Sequence, residues 1–394
     1  MKKMVYREIK TENLIYLLAC ALNNQKADLI RVSDMNLTEV FSFAEFHKIA
    51  ACIAFALENI GIDDELIKPW KQAKSMSIRK NIILNEERSQ IYNYMENNSI
   101  FHVSLKGIIL QNLYPKFGMR EMGDNDILYD VAYQEKMYEF MIGRGYRAEF
   151  YKKIHHDEYQ KPPIYNIELH TSLFLRSKNA TFFDYYKNIM DQLLPVEGKK
   201  FELRFSDEDF YIYNIAHSYH HYVSGGTGLR ILTDCYVYIK AKAETLDIKY
   251  IENECEKLGI ADYEQTCRNL ALKLFSPDLS YIDGTISLTE SENKLLERII
   301  ESGAYGRQDL AVKSQINGLA DSEKNTKVIK MKYYFNRLFM PIESVKDEYP
   351  FFYHHKILLP FLFIYRVFRA ATVSKDRIKS ELKSVDNAIE NIKK

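Results

Sequence analysis

With 394 residues and 46% hydrophobic side chains, the chain is long enough to bury two or three sizeable cores. Lysine plus arginine equals aspartate plus glutamate at 54 each, so no overall positive field recruits nucleic acid, which is not an expected partner. The five cysteines (Cys20, Cys52, Cys235, Cys255 and Cys267) are scattered and odd in number, which excludes a disulfide framework or cysteine metal spacing and suits a reducing cytoplasm.

No secretory leader is read at the start, where a lysine-rich and then acidic stretch runs into helical sequence. From 11 to 95 the apolar spacing is helical (Leu14, Leu17, Leu18 and Ala21, then Phe41, Phe43, Phe46, Ile49 and Ile53), which predicts a bundle over 1–95. Strands and turns concentrate within 96–205. Val103-Ser104-Leu105 is a predicted strand, 108–114 a short helix ended by Pro115 and Gly118, and 126–129 a second strand. Residues 155–160 and 164–170 predict a hairpin with Lys161-Pro162-Pro163 as its loop, and symmetric pairing sets His156 opposite Glu168. Helical periodicity returns over 206–394, interrupted by a polar segment, 317–326, that reads as a mobile loop. The most apolar run, 357–365, is broken by Pro360 and closed by Arg366, far short of the roughly 20 residues a transmembrane helix needs. It reads as a helix buried against the core, in preference to a basic amphipathic segment on a membrane. The fold class is α+β, a small mixed sheet flanked by N-terminal and C-terminal helical parts.

The chemistry concentrates in Gly123-Asp124-Asn125-Asp126. In an extended strand Asp124 and Asp126 share a face while Asn125 points away. Two adjacent carboxylates repel unless a divalent cation lies between them, and Mg²⁺ takes oxygen ligands while leaving positions for substrate phosphates. Upstream, Gly107 lets the backbone turn tightly or approach a phosphate. Arg120 offers a fork of donors to a triphosphate, or an ion pair to Asp124 or Asp126. Alternation over 164–170 puts Asn166, Glu168 and His170 on one strand face, so Glu168 needs a partner such as a shared metal. His217 and His221 lie four apart on one helix face, with too few companions for a zinc site, and point to substrate positioning. Arg230 and Asp234, also four apart, can pair along their helix or face substrate. Gly225-Gly226-Thr227-Gly228 lacks the lysine and strand context of a P-loop.

Leu105-Lys106-Gly107, Arg120 and Gly123-Asp124-Asn125-Asp126-Ile127-Leu128 together resemble the signature of a family of uncharacterised bacterial nucleotidyltransferases. That family lies in the superfamily of DNA polymerase β and the aminoglycoside nucleotidyltransferases. His155-His156, Ile167-Glu168-Leu169-His170, His217, His221, Leu229-Arg230 and Asp234 are similar to further motifs of the family, as are residues 302–306 and Leu358-Leu359-Pro360 with Arg366. Two departures stand out: Asn125 replaces a usual apolar residue, and Lys106-Gly107 replaces the superfamily's Gly-Ser. The resemblance implies an NTP donor, ATP foremost, bound through Lys106, Gly107, Arg120 and Gly123. It implies Mg²⁺ or Mn²⁺ on Asp124, Asp126 and Glu168. His156, His170, His217, His221, Arg230 and Asp234 would position the substrate. A nucleoside monophosphate would pass to a hydroxyl of a small-molecule, peptide or protein acceptor with release of pyrophosphate. Two other readings stay open: a non-catalytic scaffold such as a toxin–antitoxin partner, and phosphoryl transfer with the same metals.

Overall fold

The computed structural model describes residues 2–152, 155–320, 322–372 and 375–393. Seven strands form one mixed sheet: β1 (His102–Ser104), β2 (Asn125–Tyr129), β3 (Arg147–Ala148), β4 (His156–Lys161), β5 (Tyr165–His170), β6 (Leu194–Pro195) and β7 (Glu202–Arg204). Their order is β3-β4-β5-β2-β1-β7-β6. β2 runs antiparallel to β1 and parallel to β5, so the sheet's centre carries both kinds of pairing. Helices precede, follow and flank it, an α+β arrangement.

The central strands behave as their alternation dictates. Ile167 and Leu169 of β5 are fully buried with Ile127 and Tyr129 of β2, packed on Met137 and Met141 and on Leu84 and Ile91 of the long helix Asp64–Asn97. Burying these side chains stabilises the sheet by about 1.5–3 kcal/mol each and leaves the other face of β5, with Glu168 and His170, turned the opposite way. That second face is walled by the helix Asp207–Ser224. Ser206 caps its start by accepting from the Asp209 amide, and Gly225, at φ +157, ends it. Its Tyr213 packs in a continuous core with Leu14, Trp70, Val103, Leu232 and Ile299, so helices from both ends of the chain close over the sheet. All five cysteines are free and buried.

Three expectations are corrected. The β4–β5 ladder pairs His156 with His170 and Glu158 with Glu168, so the hairpin loop is 162–164, one residue beyond the expected 161–163. That shifts each partner by two positions, and a shift of two keeps every side chain on its face. The segment 317–326 is helical up to Ala320, in the helix Gln308–Ala320, and Asn325 already caps the helix Thr326–Leu338; Asp321 lies outside the described residues. The apolar run near the C-terminus forms the helix Leu359–Thr372 but is not buried. Ile357 is 85% exposed, Ile364 60% and Phe368 67%, and Leu362 turns inward. The neighbouring helices close their own core from Val312, Ile316, Ile329, Tyr333, Val385, Ala388 and Ile389 without drawing on that run. Among the described residues, no helix is long and apolar enough to cross a membrane.

Candidate active site

Parallel pairing of β2 with β5 makes Asp126 and Glu168 direct register partners, and Asp124 stands one residue before β2 begins. Asn125 points away from both: its amide donates to the Leu84 carbonyl at 2.8 Å. The third contributor arrives from the end of β1, where Leu105 to Ile108 make a tight turn, the Ile108 amide donating to the Leu105 carbonyl at 3.2 Å. Lys106 occupies the first central position of this turn at φ +45, ψ −118, a conformation ordinarily left to glycine. Holding a side chain there costs on the order of 1–3 kcal/mol and aims its ammonium into the site, 2.7 Å from Asp126 Oδ1. The turn is thus made by Lys106, not by Gly107 as expected. Gly107 answers a different need: a Cβ there would lie 2.3 Å from Arg120 Nη1 and 2.9 Å from Met122 Sδ.

Electrostatics separate the two aspartates. Burial opposes ionisation of Asp126, but the Lys106 charge and the His170 hydrogen bond outweigh it and hold this carboxyl well below the usual range. Oδ1 of Asp126 meets both partners, His170 Nε2 at 2.8 Å. The same contact raises the His170 pKa despite its burial. For Asp124 the balance is reversed: burial, then repulsion from Asp126 and Glu168, outweighs the Lys106 and Arg230 charges and pushes its carboxyl up to about 6. Burial and the neighbouring His170 lower His156 to about 4, leaving its imidazole neutral near pH 7. Glu168 Oε2 lies 3.5 Å from His170 Nε2 and 3.9 Å from His156 Nε2. Asp126, Glu168 and His170 bring possible metal-ligand atoms within 4.8 Å of one another, while Asp124 stands outside this tightest group.

Every candidate catalytic, nucleotide-binding or substrate-positioning residue lines one cavity of about 540 Å³, within the range of small-molecule sites. Lys106, Gly107, Arg120, Gly123, Asp124 and Asp126 come from the first strands, and His156, Glu168 and His170 from the hairpin. His217, His221, Arg230 and Asp234 come from the two covering helices. Open space surrounds Gly123 where a Cβ would stand. His217 and His221 touch through their Nε2 atoms at 3.2 Å.

The ion pairs differ from those expected. Asp234 does not bond Arg230 along its helix, and Arg120 does not bond Asp124 or Asp126. Instead Arg120 donates from Nε and Nη2 to the two carboxylate oxygens of Asp234, at 2.8 and 2.9 Å. Tyr114 Oη also donates to Asp234, at 2.8 Å. Arg230 is left facing Asp124, whose ionised form it favours, with one long contact to the Glu121 carbonyl at 3.4 Å.

Among the further residues that line the cavity are two that were not named as site candidates although each lies in a stretch similar to a family motif. His155, adjacent to His156, reaches the cavity, and Tyr305, within 302–306, stands at its rim, 87% exposed. The doubled histidine was the visible signal for the first and the 302–306 motif for the second. The glycines of 225–228 serve backbone packing. A Cβ on Gly228 would lie 2.9 Å from the Ala304 backbone and one on Gly226 2.2 Å from Ser302 Cβ, so the segment crosses residues 302–306 at contact distance.

Clustered carboxylates, a lysine and an arginine around a cavity of this size suit the handling of a polyphosphate. A family described as uncharacterised nucleotidyltransferases matches residues 33–276, which include every candidate site residue from Lys106 to Asp234. No curated protein and no solved structure matches the chain. With well over half of its length matched and the cavity inside the matched part, the chain belongs to this family of uncharacterised nucleotidyltransferases.

Proposed function

We propose that the protein is a bacterial, cytoplasmic enzyme of the DNA polymerase β and aminoglycoside nucleotidyltransferase superfamily, moving a nucleoside monophosphate from an NTP, ATP foremost, to an acceptor hydroxyl. The observation that carries this reading is the gathering of Asp124, Asp126 and Glu168 beside Lys106 in one cavity. In this reading residues 96–205 are the catalytic core, and the helical segments 1–95 and 206–394 shape the acceptor pocket.

The donor set fits a hard cation. Three carboxylates offer oxygen ligands, and the upward shift of Asp124, due first to burial and then to repulsion from Asp126 and Glu168, marks a carboxylate that a divalent ion would stabilise. When bound by Asp124, Asp126 and Glu168, Mg²⁺ or Mn²⁺ supplies charge neutralisation at the triphosphate and acidifies the acceptor hydroxyl. Lys106 and the Gly107 amide add positive potential for the phosphates, and Arg230 is a better placed cation for them than Arg120, which is held by Asp234. A carboxylate oxygen of Glu168 or Asp124 takes the acceptor proton. The acceptor oxygen then forms a bond to the α-phosphorus as the bond to the bridging oxygen breaks and pyrophosphate leaves.

The test is incubation with each NTP labelled at the α-phosphorus, with Mg²⁺ and pools of small-molecule, peptide and protein acceptors, followed by mass measurement. Gain of one nucleoside monophosphate, lost in Asp126→Asn, supports the proposal. Gain of phosphate alone overturns it in favour of phosphoryl transfer, and no gain, with or without nucleotide binding, overturns it in favour of a scaffold.

A further inference from the structure

We propose that His155, His156 and His170 form a nitrogen-donor site for a divalent transition-metal ion of the zinc class, beside the carboxylates and distinct from them in chemistry. One ring nitrogen from each of the three lies within 4.8 Å of those of the other two. Their ring centroids are 4.7 Å (His155 to His156), 5.0 Å (His156 to His170) and 5.6 Å (His155 to His170) apart.

The fold forces this convergence. His156 and His170 are opposed across the β4–β5 ladder, so their side chains share a face. His155 sits one residue before β4, where strand alternation no longer separates neighbours. It is pinned there because its carbonyl accepts from the Thr171 amide at 2.8 Å and the Thr171 hydroxyl at 3.1 Å. Both consecutive imidazoles therefore reach the third.

Aromatic packing alone does not account for the cluster. Nδ1 of all three rings is buried without a hydrogen-bond partner, and His170 is only 2% exposed. Buried polar atoms are normally satisfied, and three orphaned ring nitrogens in one cluster are what a missing ligand leaves. Phenylalanine would fill the same space without that cost. Imidazole is a poor ligand for Mg²⁺, which prefers oxygen, and a good one for Zn²⁺, Co²⁺ or Ni²⁺. Three histidines with a fourth position open match the pattern of a zinc site that exchanges its last ligand. Glu168 Oε2, 3.5 Å from His170 Nε2 and 3.9 Å from His156 Nε2, stands against the other nitrogens of those rings and can orient the imidazoles. With metal–nitrogen bonds of about 2.0–2.1 Å, tetrahedral ligand nitrogens lie about 3.3 Å apart, so loading draws the rings inward. The proposal does not depend on nucleotidyl transfer.

The test uses the full chain stripped with chelator, then titrated with Co²⁺ as a spectroscopic stand-in for zinc, in excess Mg²⁺. One Co²⁺ per chain, with visible absorption bands displaced by Zn²⁺ and not by Mg²⁺, is expected. His155→Gln should weaken Co²⁺ binding at least about 100-fold, more than the 10–100-fold that losing an outer partner costs. Asp124→Asn should keep the Co²⁺ bands while losing Mg²⁺-dependent nucleotide binding, which separates this site from the carboxylate reading. X-ray absorption of the Zn²⁺-loaded wild type, expected to show three imidazoles, covers the case in which a variant fails to fold. No Co²⁺ binding, bands unaltered by His155→Gln, or fewer than three imidazoles would overturn the proposal.

Discussion

Arg120 and Asp234 are joined by two parallel hydrogen bonds, 2.8 and 2.9 Å long, that tie the strand-bearing part of the chain to the helix Arg230–Lys242. Their side chains are 9% and 16% exposed, so neither charge has much water to fall back on. Removing one partner strands the other, and a buried pair broken in this way costs about 3–5 kcal/mol. Asp234→Ala should lower the urea midpoint accordingly, and Arg120→Lys should lose part of the same stability because an ammonium cannot make the paired contact. A change below about 1 kcal/mol in Asp234→Ala would show the pair to be dispensable.

The two aspartates should respond oppositely to amidation. Asp124→Asn removes a carboxyl disfavoured by burial and by Asp126 and Glu168, so stability should hold or rise by about 1 kcal/mol after solvent screening. Asp126→Asn leaves the Lys106 ammonium without its 2.7 Å partner and should cost about 3–5 kcal/mol. Both should lose Mg²⁺ affinity. Chemical denaturation beside calorimetric Mg²⁺ titration distinguishes them, and equal destabilisation by the two variants would contradict the assignment.

The Asp124 carboxyl also sets a pH window. Its proton is held more tightly in the folded chain, at about 6, than its ordinary value of 3.8. The fold is therefore favoured by protonation, and that advantage is lost as pH rises from 3.8 through about 6. Cation binding runs the other way, since it needs the carboxylate. Mg²⁺ affinity of the wild type should fall about tenfold per pH unit below about 6, and the matching inflection in stability should vanish in Asp124→Asn. A flat profile between pH of about 5 and 7.5 in the wild type would remove Asp124 from the ligand set.

Gly107→Ala should damage the site without touching a charge. The new methyl would sit 2.3 Å from Arg120 Nη1, so the guanidinium must shift and its paired contact with Asp234 is strained. Overpacking of this kind costs about 1–3 kcal/mol. The expected result is a lower melting temperature together with weaker nucleotide binding, read by thermal scan with and without NTP; an unchanged melting temperature would show that Arg120 has room to yield.

The parts of this site written in short-range periodicity were legible from sequence. Glu168 and His170 fall on one face of β5 because the strand period is two, and that conclusion survived the displaced hairpin loop. The ion pairing was not legible. Arg230 and Asp234 are helix neighbours, but the bidentate fork of Arg120, distant in sequence, wins Asp234 at a desolvated position. The glycines of 225–228 likewise answer to residues 302–306, a contact no local rule contains. Apolarity at 357–365 implied burial, yet the helices nearby had already closed their core, so the run faces outward.

Asp126 and Glu168 are spaced by a ladder step between parallel strands, a distance of about 4.7–4.9 Å fixed by main-chain hydrogen bonds. The separation of their Cα positions is therefore set by the backbone. Under the proposed function, the helical walls of the cavity, with His217, His221 and Arg230, would be open to change residue by residue toward a different acceptor while the spacing of the two strands stays put. Changing that spacing would require breaking the sheet itself, so in that reading acceptor choice and reaction chemistry would reside in parts that can diverge independently.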